Sequence, residues 1–440
     1  MGVRVQGPAD AASPPEAPAP ATGPWDDYGP ARRWTMLTIL FLIGTSFYID
    51  RNIISILIVP LKKEFAFSDA QLGLLSGFAF ALFYSLVGLP LSNFADRSDR
   101  KWLLTAAMTL WSFFTALCGV VGNFWQLMLC RMGVGGSESI AMPISQSLIA
   151  DYFPPKDRTK ALAVLNLTAT SGFLVGLAGG AWISDHYGWR MAMLICGLGA
   201  LPAVLLALLG LAEPRRHRGF PSLKIDAEPF PTALAALSRI AAYRNVVLAF
   251  TLYYASSQGA IVFLPTYLVR QYNLTLTYAG SLYAIVSAVA SLTASLAAGV
   301  IIDRLARRDR RWLAWAPAIT ILIACPCFEL AMAADSLVWT MTMIGFGIAF
   351  TAATLPALFA TTLEVCGRRR ALAVSIALAA SALFGAGLAS PITGKLSDLM
   401  TVPGLDGEGL RRALAIMFTL FALCSVTLLF TARRMRRDRI

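Results

Sequence analysis

The chain has 440 residues, of which 57% are hydrophobic and only 14% are charged. An ordinary soluble domain carries about 25% charged residues, so this composition excludes a water-soluble globule. Because a membrane-crossing helix needs roughly 20 apolar residues, about a dozen such helices with short loops would occupy most of the chain. The net charge of +12 could suggest nucleic-acid binding, but the positions of the charges indicate otherwise.

Residue counts exclude several kinds of enzyme and cofactor site. The two histidines, His186 and His217, both fall in predicted loops, which argues against a histidine-ligated metal or a Ser-His-Asp triad. The sequence contains no G-x-x-x-x-G-K-[ST], so hydrolysis of ATP through a P-loop is excluded. The seven cysteines lie in or beside apolar runs without C-x-x-C spacing, and we interpret them as small core residues. We therefore expect a protein that is not an enzyme and has no metal or cofactor.

Apolar segments alternate with short charged loops along the chain. Residues 1–33 are rich in proline and alanine and lack the apolar stretch of a signal peptide, which predicts a disordered cytoplasmic tail. Two six-helix bundles, 34–211 and 244–433, are separated by a cytoplasmic linker over 212–243 with an interfacial helix, and a basic cytoplasmic tail follows at 434–440. The predicted spans are 34–60, 69–92, 102–121, 125–150, 159–184, 189–211, 244–269, 277–302, 312–334, 337–363, 370–394 and 411–432.

The distribution of lysine and arginine predicts the orientation of these spans. Of 37 such residues, 28 fall on the side of both termini, seven fall on the opposite side, and Arg51 and Arg131 lie inside spans. By the positive-inside rule both termini are cytoplasmic, in a multi-pass protein that we expect in a bacterial inner membrane. The net charge is therefore a topological signal, so the expected partners are membrane lipids and no nucleic acid.

Three short motifs recur in the same order in the two halves of the chain. The pairs are Asp96-Arg97 with Asp303-Arg304, Ala161 to Val164 with Ala371 to Val374, and Ser184-Asp185 with Ser397-Asp398. Their separations are 207, 210 and 213 residues. Three matches in register predict a duplicated six-helix unit with parallel repeats.

These features together resemble the major facilitator superfamily, whose loop signature is G-x-L-a-D-R-x-G-R-[RK]. The second copy begins at Gly299 and matches best, whereas the first copy, at 92–101, lacks both glycines. The resemblance covers 34–435 and implies an all-α membrane protein with twelve transmembrane helices in two six-helix parallel repeats. It also implies that ion pairs of these loops hold the outward-facing state, whereas the alternative is plain charge anchoring. The loop residues concerned are Asp96, Arg97, Arg100, Asp303, Arg304 and Arg307.

Four charged residues fall inside predicted spans of the first half. A charge near the bilayer centre costs at least about 2.5–3.5 kcal/mol, so such residues usually pair with one another or face a cavity. Asp50 and Arg51 lie well inside the first span, and Arg131 and Glu138 lie in the fourth. The i, i+7 spacing of the latter two places them on one helix face, about 10 Å apart. We predict one cluster between the two spans, with a permanent ion-pair network as the structural alternative.

The segments around these charges resemble the spinster branch of the superfamily. They are Tyr48-Ile49-Asp50-Arg51 and the segment from Arg131 to Glu138, together with the turn at 151–155. The branch implies proton-linked movement of sphingosine-1-phosphate and lysophospholipids. It also implies that Asp50, Arg51 and Glu138 couple protons and that Arg51, Arg131 and Glu138 bind the headgroup. The chemistry suits these roles, because arginine presents a planar fork to phosphate or carboxylate and a carboxylate in a low-dielectric cavity can take up a proton. Our hypothesis is that Asp50, paired with Arg51, is the protonation switch.

The seventh and tenth spans, which the family fold places at the cavity, contain no charge near their centres. One wall of the cavity is therefore expected to be charged and the other aromatic and hydroxylic, which suits an amphiphile with an anionic or zwitterionic head. The candidate cavity residues are Tyr48, Tyr253, Tyr254, Gln258, Phe346, Phe350 and Thr354. We expect a proton-coupled secondary transporter that moves a lysophospholipid-like or sphingosine-1-phosphate-like amphiphile by alternating access, works as a monomer and uses the proton gradient.

Other functions remain open at this point. The two arginines could clamp the carboxylate of a small organic anion or sugar acid. The acids could instead recognise cations in a broad exporter of lipophilic drugs. An intramembrane lipid-modifying enzyme is disfavoured because no nucleophile and base share a span, and a channel is disfavoured by the duplicated halves. The direction of transport, and the choice between symport and antiport, do not follow from the sequence.

Overall fold

A computed structural model of the chain describes residues 24–95, 98–214, 216, 230–366, 370–402 and 406–435. Within these ranges the fold is built from helices and turns, beginning with a short 3-10 turn at Pro24–Asp27. The helices are α1 Pro30–Phe65, α2 69–95, α3 Arg100–Cys118, α4 Phe124–Glu138, α5 Ala141–Tyr152, α6 Pro155–Tyr187, α7 Trp189–Gly210, α8 Phe230–Arg239, α9 Ala241–Tyr272, α10 Leu276–Arg308, α11 Trp312–Ala333, α12 Leu337–Val365, α13 370–400 and α14 406–434.

Eleven helices of the described residues are long and apolar enough to cross a membrane. They agree with eleven of the predicted spans, although several are longer. The helix α1 begins at Pro30, inside the segment predicted to be disordered, since Pro30 is at the first helical position, where its missing N–H is no loss. Residues 1–23 and 436–440, which hold most of the predicted tails, lie outside the described residues.

The fourth predicted span, 125–150, is divided into α4 and α5, and neither is long enough alone to be counted as a span. The break at Ser139 and Ile140 has a local cause. Pro143 has no N–H to donate to the carbonyl of residue 139, and its ring crowds that carbonyl. The Ser139 hydroxyl also bonds to the Gly136 carbonyl at 2.7 Å. The count of twelve spans and the cytoplasmic side of the termini stay predictions.

Helix packing follows the internal repeat. In the first half α1 packs on α6 and α4 packs on both α2 and α3; in the second half α9 packs on α13, the counterpart of α6, and α12 packs on α10 and α11. The halves meet where α2 packs on α13 and where α6 packs on α10. Each of these contacts joins the second helix of one half to the fifth predicted span of the other.

The linker between the halves contributes α8 to the described residues. Leu237 of α8 is buried with Tyr243, Cys366 and Ala373 of the second half. One side of the helix is therefore docked on protein, whereas the sequence predicted an interfacial helix. Residues 217–229 of the linker lie outside the described ranges.

Candidate functional site

The helices of the first half pack closely around the charged residues of α1 and α4. Gly135 lies on α4 between Arg131 and Glu138, and a Cβ there would sit 2.5 Å from the Phe80 carbonyl oxygen of α2. At Gly133 a Cβ would sit 2.6 Å from the Phe114 ring of α3. These glycines let α4 pack against both neighbours at backbone distance, so its two charged side chains are enclosed by the bundle.

The two carboxyl groups of the cluster are buried and have no hydrogen-bond partner among the described residues. Asp50 is 1% exposed and Glu138 is 0% exposed. All four of their carboxylate oxygens lack a partner. A buried carboxylate without a partner is costly, and native structures contain few such groups. Glu138 is also the last residue of α4, where the helix dipole disfavours a negative charge. The arrangement is therefore suited to a protonated carboxyl or to a bound group that supplies donors.

The two arginines act on different carboxyl groups. Arg131 is 1% exposed and acts electrostatically on both Asp50 and Glu138. Arg51 acts on Glu138 and is partly exposed. The structure thus brings the four residues together, but the arginine that acts on Asp50 is Arg131, whereas the sequence suggested Arg51. Neighbouring residues on a helix project about 100° apart, so Asp50 and Arg51 point in different directions.

An aromatic ring that the sequence analysis did not single out lies against both arginines. The Arg51 and Arg131 guanidinium carbons lie 5.1 and 5.6 Å from the centroid of the Phe80 ring. Arg51 also lies 5.7 Å from the Tyr84 ring. Both distances to Phe80 are within the range of cation–π attraction. The guanidinium groups are held by ring faces, so N–H donors remain available for an anion. A phenylalanine in an apolar span gives no signal of this role.

Polar groups of α3 complete the surroundings of Asp50. Thr115 adjoins its carboxyl group. The hydroxyls of Thr115 and Ser112 and the indole N–H of Trp111 are buried, and within the described part of the chain they have no hydrogen-bond partner. Single hydroxyls in an apolar span are common, which is why the sequence did not identify them. Of these groups, the Thr115 hydroxyl adjoins Asp50 and could donate to its carboxylate or accept from its protonated form.

A tyrosine of the second half reaches the first-half charges. Tyr254 of α9 interacts electrostatically with Arg51, Tyr48 and Tyr84. Gln258 follows one turn later, exposed, within a π-helical turn at Ala255–Ala260. Such turns often occur at functional sites. Tyr48 and Tyr254, predicted to line the cavity, are thus close enough to Arg51 for its charge to act on both.

The remaining predicted cavity residues are not brought to this cluster. The Tyr253 hydroxyl donates to the Thr351 carbonyl at 3.0 Å, and Thr354 bonds to Thr320 at 2.8 Å. Both hydroxyls therefore stabilise the packing of the second half instead of facing a cavity. Phe346 is 53% exposed on the same face of α12 as the exposed Trp339. Phe350 packs, partly buried, against the main apolar core.

One of the predicted gating residues, Arg100, lies in a buried cluster of ion pairs and hydrogen bonds. Arg100 is 1% exposed and bonds to Glu213 and Asp151, each at 2.6 Å, and to Ser147 at 2.8 Å. Ser147 and Asp151 lie on α5 and Glu213 follows the end of α7, so these bonds join α3 to α5 and to the start of the linker. The part expected of Arg100 in holding the outward-facing state stays a prediction. The sequence placed Glu213 only in the linker, beside a proline, and nothing in that context predicted its bond to Arg100.

Of the other gating residues, Asp96 and Arg97 and the side chain of Asp303 lie outside the described residues. Arg304 and Arg307 are exposed on α10. Their expected part in an ion-pair gate stays a prediction.

The geometry matches known transporters. The model of the Major Facilitator Superfamily matches residues 40–383. An MFS-type efflux pump of Mycolicibacterium smegmatis is 30% identical over 415 residues, which are 94% of this chain and 96% of the pump. A probable L-galactonate transporter of Escherichia coli is 28% identical over 263 residues, or 57% of each chain.

Among solved structures, a bacterial homologue of the human lysosomal transporter spinster, crystallised in an inward-facing and unoccupied conformation, is similar to this chain with a TM-score of 0.82 and 27% identity. The match covers 94% of this chain and 99% of that one. The resemblance to the spinster branch is thereby confirmed at the level of structure. With the family model matched over most of its length, this chain belongs to the major facilitator superfamily, whose members are membrane transporters and not enzymes.

Proposed function

We propose that the protein is a proton-coupled secondary transporter that moves a lysophospholipid-like or sphingosine-1-phosphate-like amphiphile by alternating access. The observation that carries the proposal is the pair of buried carboxyl groups, Asp50 and Glu138, with no hydrogen-bond partner beside two arginines. An intramembrane charge is expensive, so a cluster of them that is not satisfied internally indicates a functional site.

Proton coupling would operate through Arg131. This side chain acts on both Asp50 and Glu138, so a proton on either acid leaves Arg131 less neutralised and better able to attract an anion. Loss of the proton restores the attraction of Arg131 to its own acids. Proton occupancy and anion affinity are then linked, and thermodynamic linkage requires that each affects the other equally.

The substrate class follows from the residues around Arg51. This arginine is partly exposed, carries donors that suit a phosphate group, lies over the rings of Phe80 and Tyr84, and acts electrostatically on Tyr254. The first half thus offers the charges and two rings, and Tyr254 adds an aromatic side chain of the second half. An amphiphile would place its headgroup at Arg51 and its apolar chain along the second half.

The test is transport by sealed vesicles that contain the purified protein. We expect a pH gradient to drive uptake of labelled lysophosphatidylethanolamine or sphingosine-1-phosphate. Asp50→Asn should lose the dependence on the gradient but keep exchange of substrate at equal pH. Asp335→Asn, at an acid that is 92% exposed, is the matched control and should behave as the wild type. If Asp50→Asn retained gradient-driven accumulation, the switch would lie elsewhere.

Two other substrate classes have support and are separated by the same vesicles. The similarity to a probable L-galactonate transporter favours a small sugar acid, whose carboxylate the two arginines would bind. The similarity to an efflux pump favours a lipophilic drug, whose positive charge the acids would bind. Uptake of L-galactonate or of ethidium by vesicles that do not transport either lipid would replace the amphiphile with the corresponding class.

We further propose that the protein works as a monomer in a bacterial inner membrane, with the proton gradient as its energy source. The support is that one chain already contains both halves of a carrier and that its loops have the charge asymmetry of such a topology.

A further inference from the structure

One repeated motif of the sequence has no part in the charged cluster, namely the Ser-Asp pair near the ends of α6 and α13. Asp398 of α13 reaches the first turn of α2 in the other half. Its Oδ1 accepts from the backbone N–H of Asp69 at 2.8 Å and its Oδ2 accepts from that of Ala70 at 2.9 Å. This end of the bundle, where α1 ends and α2 begins, is the predicted outer end.

The copy of the motif in the first half makes the reciprocal contact. Asp185 Oδ2 accepts from the backbone N–H of Thr277 at 2.7 Å and from its hydroxyl at 2.6 Å, in the first turn of α10. The two helix starts correspond in the repeat, since Ser68 caps α2 and Thr275 caps α10. Each aspartate therefore satisfies the N-terminus of the second helix of the opposite half.

The backbones also approach at matching positions. A Cβ on Gly73 of α2 would lie 2.3 Å from the Ser390 carbonyl oxygen of α13. A Cβ on Gly280 of α10 would lie 3.0 Å from the Leu177 carbonyl oxygen of α6. The two interfaces between the halves thus share their register as well as their acidic contacts.

We propose that Asp185 and Asp398 form a twin-aspartate latch that closes the predicted outer end and must release when that end opens. The first backbone N–H groups of a helix have no partner within the helix and carry partial positive charge, so an aspartate stabilises them. Water can replace the aspartate when the halves separate. The contact of each aspartate therefore favours the closed end by a modest amount, and it adds to the bonds from Arg270 and Ser397 to Asp69, which also join the halves and must break on opening. These are positioning residues, and the proposal depends on no substrate.

The two arms of the latch are unequal in strength. At the arm of Asp398, Asp69 is 0% exposed and accepts two hydrogen bonds from Arg270 at 2.8 Å and one from Lys62 at 2.8 Å. The Ser397 hydroxyl of the motif also donates to Asp69, at 2.7 Å. Leu276 takes the equivalent position in α10 and offers no acceptor.

The serine of the first-half motif has no acceptor corresponding to Asp69. The buried hydroxyl of Ser184 has no hydrogen-bond partner among the described residues. The arm of Asp398 should therefore hold more strongly than the arm of Asp185.

The latch can be tested by measuring the distance between the halves at this end. Spin labels attached to a keto amino acid at Lys63 and Arg412, both exposed and on opposite halves, leave the seven cysteines unchanged. We expect one short distance for the wild-type chain. Asp185→Asn and Asp398→Asn should each add a longer distance, with the open-to-closed ratio raised up to about tenfold, as expected for loss of a charged helix cap, and less in Asp398→Asn, where the bonds to Asp69 remain.

The outcomes decide the proposal without any transport measurement. Asp335→Asn, the exposed control acid, should leave the distances unchanged, and the double variant should exceed either single one. A double variant with the wild-type distribution would overturn the latch, even if the vesicle experiment succeeded. If the double variant does not elute as a folded protein, Thr277→Val gives a milder test. It removes one hydroxyl contact of Asp185 and should still add the longer distance, so an unchanged distribution would also count against the latch.

Discussion

Asp50 and Asp69 are two aspartates of the same half with the same burial and opposite surroundings. Asp50 is 1% exposed and neither of its oxygens has a hydrogen-bond partner in the described structure. Asp69 is 0% exposed and accepts from two cationic side chains and one hydroxyl. Burial alone therefore does not identify a functional acid in a membrane bundle. Unused hydrogen-bonding capacity is the more informative sign, because a group that must gain and lose a proton or a ligand cannot be permanently satisfied.

The largest loss of stability is expected from Asp69→Asn. Removing one partner of a buried ion pair leaves the other charge uncompensated, here Arg270, and costs about 3–5 kcal/mol of the free energy of unfolding. Thermal unfolding of the purified protein should show a clear fall in midpoint. Asp335→Asn, at an exposed site, should stay within about 0.5 kcal/mol of the wild type. A midpoint for Asp69→Asn equal to that control would remove the structural role given to Asp69.

Asp50 and Asp69 also differ in how much of their surroundings could be predicted from the sequence. The meeting of Asp50 with Arg131 and Glu138 follows from charges inside apolar spans and from one helical spacing, both of which are local. Asp69 is held by Arg270, 201 residues away, and by Ser397, 328 residues away. No periodicity connects such positions, and the sequence treated Arg270 only as a loop charge.

The fold shows the same division. Apolar runs predicted eleven of the helices, since hydropathy is a property of each segment alone. The sequence did not predict the break in the fourth span, although it contains Pro143. A proline leaves a membrane helix continuous, and only bends it, where neighbouring groups satisfy the freed backbone carbonyl, so a proline alone does not predict a break. The partnership of Arg100 with Glu213 was missed because it depends on how the end of α7 packs on α3.

A smaller loss of stability is expected from Gly394→Ala, which disturbs the packing around Asp69 without changing a charged residue. A Cβ on Gly394 would lie 2.0 Å from the Asp69 carbonyl oxygen, so α13 must move away from α2. Overpacking of this kind costs about 1–3 kcal/mol. Gly299→Ala is the matched control, since nothing lies within 4 Å of its Cβ, and it should be neutral or slightly stabilising. Equal unfolding midpoints for the two variants would argue against close contact at Asp69.

Unlike the two preceding variants, Asp50→Asn is not expected to destabilise the protein in the same unfolding experiment. The substitution removes a carboxyl group that is not hydrogen-bonded, so the free energy of unfolding should stay unchanged or rise by up to about 1 kcal/mol. A loss as large as that of Asp69→Asn would mean that Asp50 is held in an ion pair, and the structural alternative for the cluster would be favoured.

The smallest effect is expected from Phe80→Leu, which keeps an apolar side chain but removes the ring on which Arg51 and Arg131 lie. A cation–π contact contributes about 0.5–1 kcal/mol, so binding of an anionic headgroup should weaken roughly 2–5-fold. Binding of lysophosphatidic acid to the purified protein measures the change, and Phe346→Leu, at an exposed ring, is the control. Because Phe80 carries no charge, it cannot take part in proton transfer, so the dependence of transport on the pH gradient should survive in this variant. A variant that kept full affinity would show that the arginines need no aromatic support, whereas one that lost the proton dependence would place the ring in the switch itself.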